Sequence, residues 1–217
     1  MIIGGPALTK YNDRTLRNLT TAPASVTSAP GALVHIKTLT ASSSSTLSFV
    51  DGSSSVVLDN TYPIYKFEFI NMHPANAGTN FRINFSADTG SNYNVTKTTT
   101  VFKAEHHEND TAASLGYETS QDLSQSTDPQ MFMILDNAND SGGSGELYLF
   151  NPSSTTFAKY FMANGTGFVV DGGNPKQFTM YVAGYGNTTS AIDAVQFSMA
   201  SGNIDAGTIK LYGIKDA

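Results

Sequence analysis

Tyr65-Lys66-Phe67-Glu68-Phe69 sets three aromatic side chains on one side of an extended chain and two charges on the other. Phe81-Arg82-Ile83-Asn84-Phe85 repeats that order. Apolar and polar residues alternating with a period of two are the mark of a strand buried on one face. Working outward, the same short alternation recurs at Val34–Leu39, Leu47–Val50, Met131–Leu135, Glu146–Phe150, Phe178–Val182, Val195–Met199 and Thr208–Tyr212. Turn-forming clusters separate these runs: Asp51-Gly52-Ser53, Ala87-Asp88-Thr89-Gly90, Ser141-Gly142-Gly143, Asn164-Gly165 and Asp171-Gly172-Gly173-Asn174-Pro175. From Leu33 onward no stretch keeps apolar residues at helical spacing for three turns, and no repeat recurs along the chain. The pattern predicts an all-β domain over residues 32–217, a β-sandwich of jelly-roll type with long excursions between some strands.

Residues 1–31 read differently. Asp13 caps a possible turn or two of helix carrying Leu16 and Leu19, and the segment holds Lys10, Arg14 and Arg17. Ala22-Pro23-Ala24-Ser25 through Ala29-Pro30-Gly31 is small and proline-punctuated, which predicts an extended linker. An N-terminal arm on a β domain is the expected organisation. Two polar excursions interrupt the strands, one from Lys103 to Pro129 and one from Asn137 to Gly145, and such loops on a rigid scaffold are where binding contacts are expected.

The 217 residues carry 12 Lys and Arg against 18 Asp and Glu, a net charge of −6, which argues against grip on nucleic acid or on an anionic membrane by bulk charge. Charged residues make up 14 % of the chain, against roughly 25 % in an ordinary soluble domain. With no cysteine, a disulfide framework, a thiolate zinc site and a cysteine nucleophile are all excluded. No basic segment leads into an apolar stretch at Met1-Ile2-Ile3-Gly4-Gly5-Pro6, and no apolar run approaches the ~18 residues of a membrane helix. The expectation is a chain made and used without secretion.

Chemistry-bearing clusters are sparse. Glu105-His106-His107-Glu108 has metal-ligating side chains, but adjacent residues of an extended chain point to opposite sides, so the two histidines do not serve one ion. His35 and His73 have no ligand-like spacing to them. The loop from Asp136 to Gly145 has oxygen ligands at Asp136 and Asp140, but Ala138 interrupts the alternation a calcium loop needs. Glu68 and Glu146 are the carboxylates to nominate for glycoside hydrolysis, yet nothing in the sequence pairs them. The Gly-Gly doublets lead into no helix, so no phosphate cradle follows. No enzyme, cofactor or metal is expected. Tyr181, Tyr185 and Tyr212 are expected on strand surfaces, where tyrosine stacks on a sugar ring or packs at a protein interface.

The C-terminal stretch Ser201-Gly202-Asn203-Ile204-Asp205-Ala206-Gly207-Thr208-Ile209-Lys210-Leu211-Tyr212-Gly213-Ile214-Lys215 resembles the closing hairpin of a β-sandwich family among virion proteins of tailed bacteriophages, which includes head-decoration and tail-associated proteins. Upstream blocks agree in order, among them Thr38–Ser42, Tyr62–Phe69, Phe81–Phe85, Asp88–Tyr93 and Gly145–Ser153. The hairpin reading places the turn at Ile204-Asp205-Ala206-Gly207, with Ile209 and Leu211 facing the core. The resemblance implies a non-enzymatic structural virion protein, often trimeric, made in the host cytoplasm. The leading expectation is a capsid decoration (cement) protein on the outer surface of the head, partnered by itself and by the major capsid protein or other virion proteins. Its docking arm would use Ile2, Ile3, Lys10, Arg14, Leu16, Arg17 and Leu19. The alternative is a tail-associated or receptor-binding protein whose jelly roll holds a host glycan.

Overall fold

The computed structural model describes residues 33–171 and 173–215. These form twelve strands and, among the described residues, no helix. The strands are β1 (Leu33–Thr40), β2 (Thr46–Val50), β3 (Ile64–Pro74), β4 (Thr79–Ser86), β5 (Lys97–His107) and β6 (Ala113–Tyr117). They continue with β7 (Gln130–Leu135), β8 (Gly143–Phe150), β9 (Lys159–Asp171), β10 (Asn174–Gly186), β11 (Ala194–Met199) and β12 (Ile204–Ile214). Two antiparallel sheets result: a large one in the order β1-β12-β3-β8-β9-β10-β5-β6, and a small one in the order β2-β11-β4-β7. The fold is a β-sandwich, and each of the nine alternating stretches lies within a strand.

The alternation explains how the layers meet. On β3 the side chains of Tyr65, Phe67 and Phe69 are buried while Lys66 and Glu68 turn outward. On β4, in the facing sheet, Phe81, Ile83 and Phe85 are buried. Phe197 of β11 joins them, its ring 5.4 Å from Phe67, 5.1 Å from Phe69, 5.8 Å from Phe81 and 6.2 Å from Phe49. Phe132 of β7 closes the group at 5.1 Å from Phe69 and 5.2 Å from Phe81. Most of these contacts are edge-on or tilted, the geometry in which the positive rim of one ring meets the negative face of another.

Three strands have no counterpart in the alternating stretches. On β5 the first inward positions are Lys97 and Thr99, both buried, so polar residues occupy the face that normally signals a strand. On β6 all five residues are exposed. The excursion from Lys103 to Pro129 therefore holds the end of β5 and all of β6, and the rest of it is loop. On β9, Asn164-Gly165 lies mid-strand and is no turn. Gly165 is there because β7 crosses directly over it: a Cβ at Gly165 would strike Met133 and stand 2.8 Å from the Phe132 carbonyl oxygen. A Cβ at Gly167 would meet the Ile134 carbonyl oxygen. The two glycines let the sheets touch backbone to backbone at this corner.

Asp136 fixes the same corner. Its N–H donates to Phe168 O at 3.1 Å and its Oδ2 accepts the Val170 N–H at 3.0 Å, bonding β9 where β8 has ended. The C-terminal segment also differs from the expected hairpin. β11 belongs to the small sheet and β12 to the large one, so the connection around Gly202 (φ +71°) is an arch between layers. Ile204–Gly207 is strand with an irregular register against β3, and Ile209 and Leu211 are buried as expected. Gly207, at φ +122°, takes a conformation that no side chain permits beside the Asn71 carbonyl, 2.8 Å from its Cβ position.

Gly165→Ala is expected to lower unfolding stability by about 1–3 kcal/mol, because the added methyl meets the Phe132 carbonyl oxygen and displaces the Met133 side chain. Gly116→Ala, with nothing within 4 Å of its Cβ position, is expected to stay near wild type. Urea midpoints of the two variants check this.

Candidate functional site

The four strands β9, β10, β5 and β6 extend the large sheet well past β8, and their outer face carries apolar side chains. On β9, Phe161 and Ala163 point inward while Tyr160 and Met162 are 59 % and 56 % exposed. Tyr181 of β10 and Phe102 of β5 are 58 % and 49 % exposed. Register aligns them: Tyr181 lies opposite Phe102, Phe102 opposite Tyr117, and the last two rings meet edge-on at 5.6 Å. A neighbouring row runs His35, Tyr212, Lys66, Tyr148, Met162, Ala183 and Thr100 across the sheet. Small Ala183 and Thr100 leave hollows between the larger residues. One groove of about 430 Å³ lies between Tyr160, Tyr185, Phe150 and Met162. A second, of about 240 Å³, lies between Phe102, Tyr181, Tyr148 and Met162 and is bordered by Glu146 and Asn164.

The expected surface tyrosines Tyr181, Tyr185 and Tyr212 do all belong to this outer face, but only the first two line a groove. Tyr212 packs edge-on against His35 at 5.5 Å and is half-buried. Phe102, Tyr117, Tyr160 and Met162 were not singled out from sequence. The available signal was that Tyr160-Phe161-Met162-Ala163 is apolar at every position, so both faces of that strand had to be apolar.

The polar border is an ion-pair network. Glu68 and Glu146 are directly opposed across β3 and β8, which the sequence could not show. Lys66 Nζ stands between them, 3.0 Å from Glu68 Oε1 and 2.9 Å from Glu146 Oε2. Asn164 Nδ2 donates to Glu146 Oε1 at 3.1 Å and the Tyr148 hydroxyl to Glu146 Oε2 at 3.3 Å. The hydrogen bond from Lys66, above all, holds the Glu146 carboxyl below its ordinary range. Burial pulls the Lys66 ammonium down, but hydrogen bonds to both carboxylates outweigh it and leave its pKa raised. A glycosidase acid needs the opposite, a carboxyl held protonated near neutrality. The arrangement makes Glu146 a fixed acceptor beside the second groove.

The other candidates are placed as follows. His106 and His107 end β5 on opposite faces; His106 is exposed and 3.1 Å from Asp110, while His107 is half-buried. In the loop after β7, both carboxylate oxygens of Asp136 accept backbone N–H groups, from Asn137 and Val170, so they serve the corner. Among the described residues no three His, Asp or Glu side chains gather as metal ligands. A polar cleft of about 710 Å³ lies at the loop end of the sandwich, lined by Asn71, His73, Asp140, Gln177 and Asp205 among others. His73 Nε2 is 3.1 Å from Ala138 O, which fixes its ring. The arm residues Ile2, Ile3, Lys10, Arg14, Leu16, Arg17 and Leu19 lie outside the described residues.

Beneath the outer face two lysines are wholly buried. Lys97 Nζ donates to Asn84 Oδ1 at 2.5 Å and Val95 O at 2.7 Å, and Lys159 Nζ to Phe157 O at 2.6 Å. Both lie opposite Gly186, one on each side of β10. Burial pushes the Lys97 ammonium down to about 8, with Asp128 opposing, and burial also lowers Lys159. Neither reaches the surface, so they are structural cations that draw neighbouring carbonyls together.

No protein-family model, curated protein or solved structure matches the chain.

The depressed Lys97 value has a definite sign. Below about 8 both folded and unfolded chains hold the proton; between there and the ordinary 10.5 the unfolded chain holds more. Stability is therefore expected to rise from about pH 8 to pH 9.5, by on the order of 1 kcal/mol per unit at most. Lys97→Met should remove most of that rise. Urea titrations across this range measure it.

Proposed function

We propose that this chain is a non-enzymatic structural virion protein, a bacteriophage capsid decoration protein with a jelly-roll body. The observation that carries this reading is the exposed aromatic face on β9, β10, β5 and β6. Phe102, Tyr160, Met162 and Tyr181 stand together in water on a rigid sheet. A contiguous apolar patch framed by polar residues is the kind of surface that assemblies bury.

The strand order supports the jelly-roll part of the proposal. With β5–β6 and β9–β10 set aside as additions, β1-β12-β3-β8 faces β2-β11-β4-β7. The chain then crosses between layers at every step except β4 to β7, in the manner of two nested Greek keys, its last strand lying beside its first. The chain's resemblance to phage virion proteins supplies the setting. In this proposal the outer face packs on a neighbouring virion subunit, the body trimerises, and residues 1–31 dock on the capsid lattice. Burial of neutral sheet surface then reinforces the shell.

A second reading is favoured by one feature, the placement of Asn164 and Glu146 at the rim of the aromatic groove. Rings flanked by fixed hydrogen-bonding groups suit a sugar, whose faces are apolar and whose edges are hydroxyls. Under this reading the protein is tail-associated and binds a host glycan.

Particles lacking the protein, incubated with purified chain and imaged by electron microscopy, separate the two. Decoration is expected for wild type, and occupancy below about a tenth of that for Phe102→Lys with Tyr181→Lys, since central aromatic anchors dominate such interfaces. Deleting residues 1–31 should likewise abolish binding. Undiminished occupancy for both variants overturns the proposal, and glycan-array binding that Tyr181→Ala abolishes, with no decoration of heads, establishes the second reading.

A further inference from the structure

We propose that β6 is a self-pairing edge, through which two copies of this chain join their large sheets across a twofold axis centred on Leu115. The inference rests on the geometry of β5 and β6 and stands apart from the virion reading. It adds a twofold contact to whatever other symmetry the assembly has.

The main chain sets the register. Glu118 N–H donates to Val101 O, and His107 N–H to Ala112 O. Antiparallel pairing alternates, so residues 112, 114, 116 and 118 turn their N–H and C=O toward β5. Ala113, Leu115 and Tyr117 then point theirs off the end of the sheet. All five β6 residues are exposed, Leu115 at 79 %.

Soluble proteins blunt such an edge with lysine, proline or a bulge. The opposite edge, β1, has both a lysine, Lys37, and a register break between His35 and Lys37. The β6 sequence Ala113-Ser114-Leu115-Gly116-Tyr117 has no charge and no proline, and its register with β5 is unbroken. Among the described residues nothing on this edge opposes addition of another strand.

A second copy is the occupant that the edge fits. Centred on Leu115, an antiparallel mate sets Ala113 opposite Tyr117, Leu115 opposite Leu115 and Tyr117 opposite Ala113. Each facing pair exchanges two hydrogen bonds, so every outward N–H and C=O is satisfied. A shift to another centre leaves at least one pair unmatched. Side chains agree: the large Tyr117 meets the small Ala113, and Ser114 meets Gly116. Glu118, which already pairs with Lys103 at 2.8 Å, falls opposite Ala112 and meets no like charge. Because Tyr117 adjoins Phe102 and Tyr181, pairing joins the aromatic rows of the two copies into one band.

The chain has no cysteine, so a single introduced thiol reports only contacts between copies. In the full chain at low micromolar concentration, Leu115→Cys is expected to oxidise to a disulfide-linked dimer, because facing Cα atoms lie about 5.5 Å apart. Ala113→Cys, about 14 Å from its own counterpart in this register, should cross-link at least about tenfold more slowly. Ala113→Cys with Tyr117→Cys should restore efficient linkage. Leu115→Pro removes only an outward N–H and should weaken self-association in sedimentation velocity without unfolding the chain. Equal rates for the two single-cysteine variants overturn the proposal. So does a full-length chain that stays monomeric, or association that survives Leu115→Pro and is lost on deleting residues 1–32.

Discussion

Phe197 and the rings around it hold the two sheets at a fixed separation, and the remaining architecture follows from that contact. Aromatic packing is directional, so Phe49, Phe67 and Phe69, edge-on to Phe197, and Phe81, stacked on it, lock the angle between layers as well as the distance. These rings come from β2, β3 and β4, with Phe132 added from β7, so the small sheet is anchored over one half of the large one. Over the other half, Phe161 of β9 meets Phe85 of β4 edge-on at 5.1 Å, and backbone contact does the rest. There β7 crosses β9 at the level of the backbone, with glycine beneath it and Asp136 bonded at the rim. All of these contacts lie on the inner side, and the outer face of β9, β10 and β5 is turned away from them.

That division explains where the polar groups are. Buried charges such as Lys97, Lys159 and Asp136 are satisfied by backbone and amide partners in the connections and corners, and they tie segments that no hydrophobic side chain could hold. Among the surface charges, Lys66 pairs with both Glu68 and Glu146. Accessible on the extended sheet are the aromatic and apolar side chains Phe102, Tyr160, Met162 and Tyr181, with polar residues such as Thr100, Thr166 and Gln177 around them. A surface of this kind is suited to burial against a large partner. The proposed functions differ in what that partner is, and they agree that the extended sheet meets it.

The phenylalanine core, the sandwich and nine of its strands were legible from alternation, because a strand buried on one face must show it. Tyr181 and Tyr185 were legible as surface residues for the same reason. Tyr160 and Met162 were not, since apolar residues on both faces of a strand look like full burial, and Phe102 was not because the polar inward positions Lys97 and Thr99 hid the alternation of β5. Asn164-Gly165 read as a turn because a glycine's need for close packing and its need for an unusual φ leave the same letter in the sequence. Glu68 and Glu146 lie far apart along the chain, and only pairing of β3 with β8 made them neighbours of Lys66.

Period-two alternation determined which residues face inward, and composition determined that the surface would be poor in charge; both are local properties that each strand carries by itself. Which strands lie side by side, which strand ends the sheet among the described residues, and which apolar face is exposed there were decided by the tertiary structure alone. Pairing order is set by contacts between segments distant in the chain, and no single segment records its neighbour.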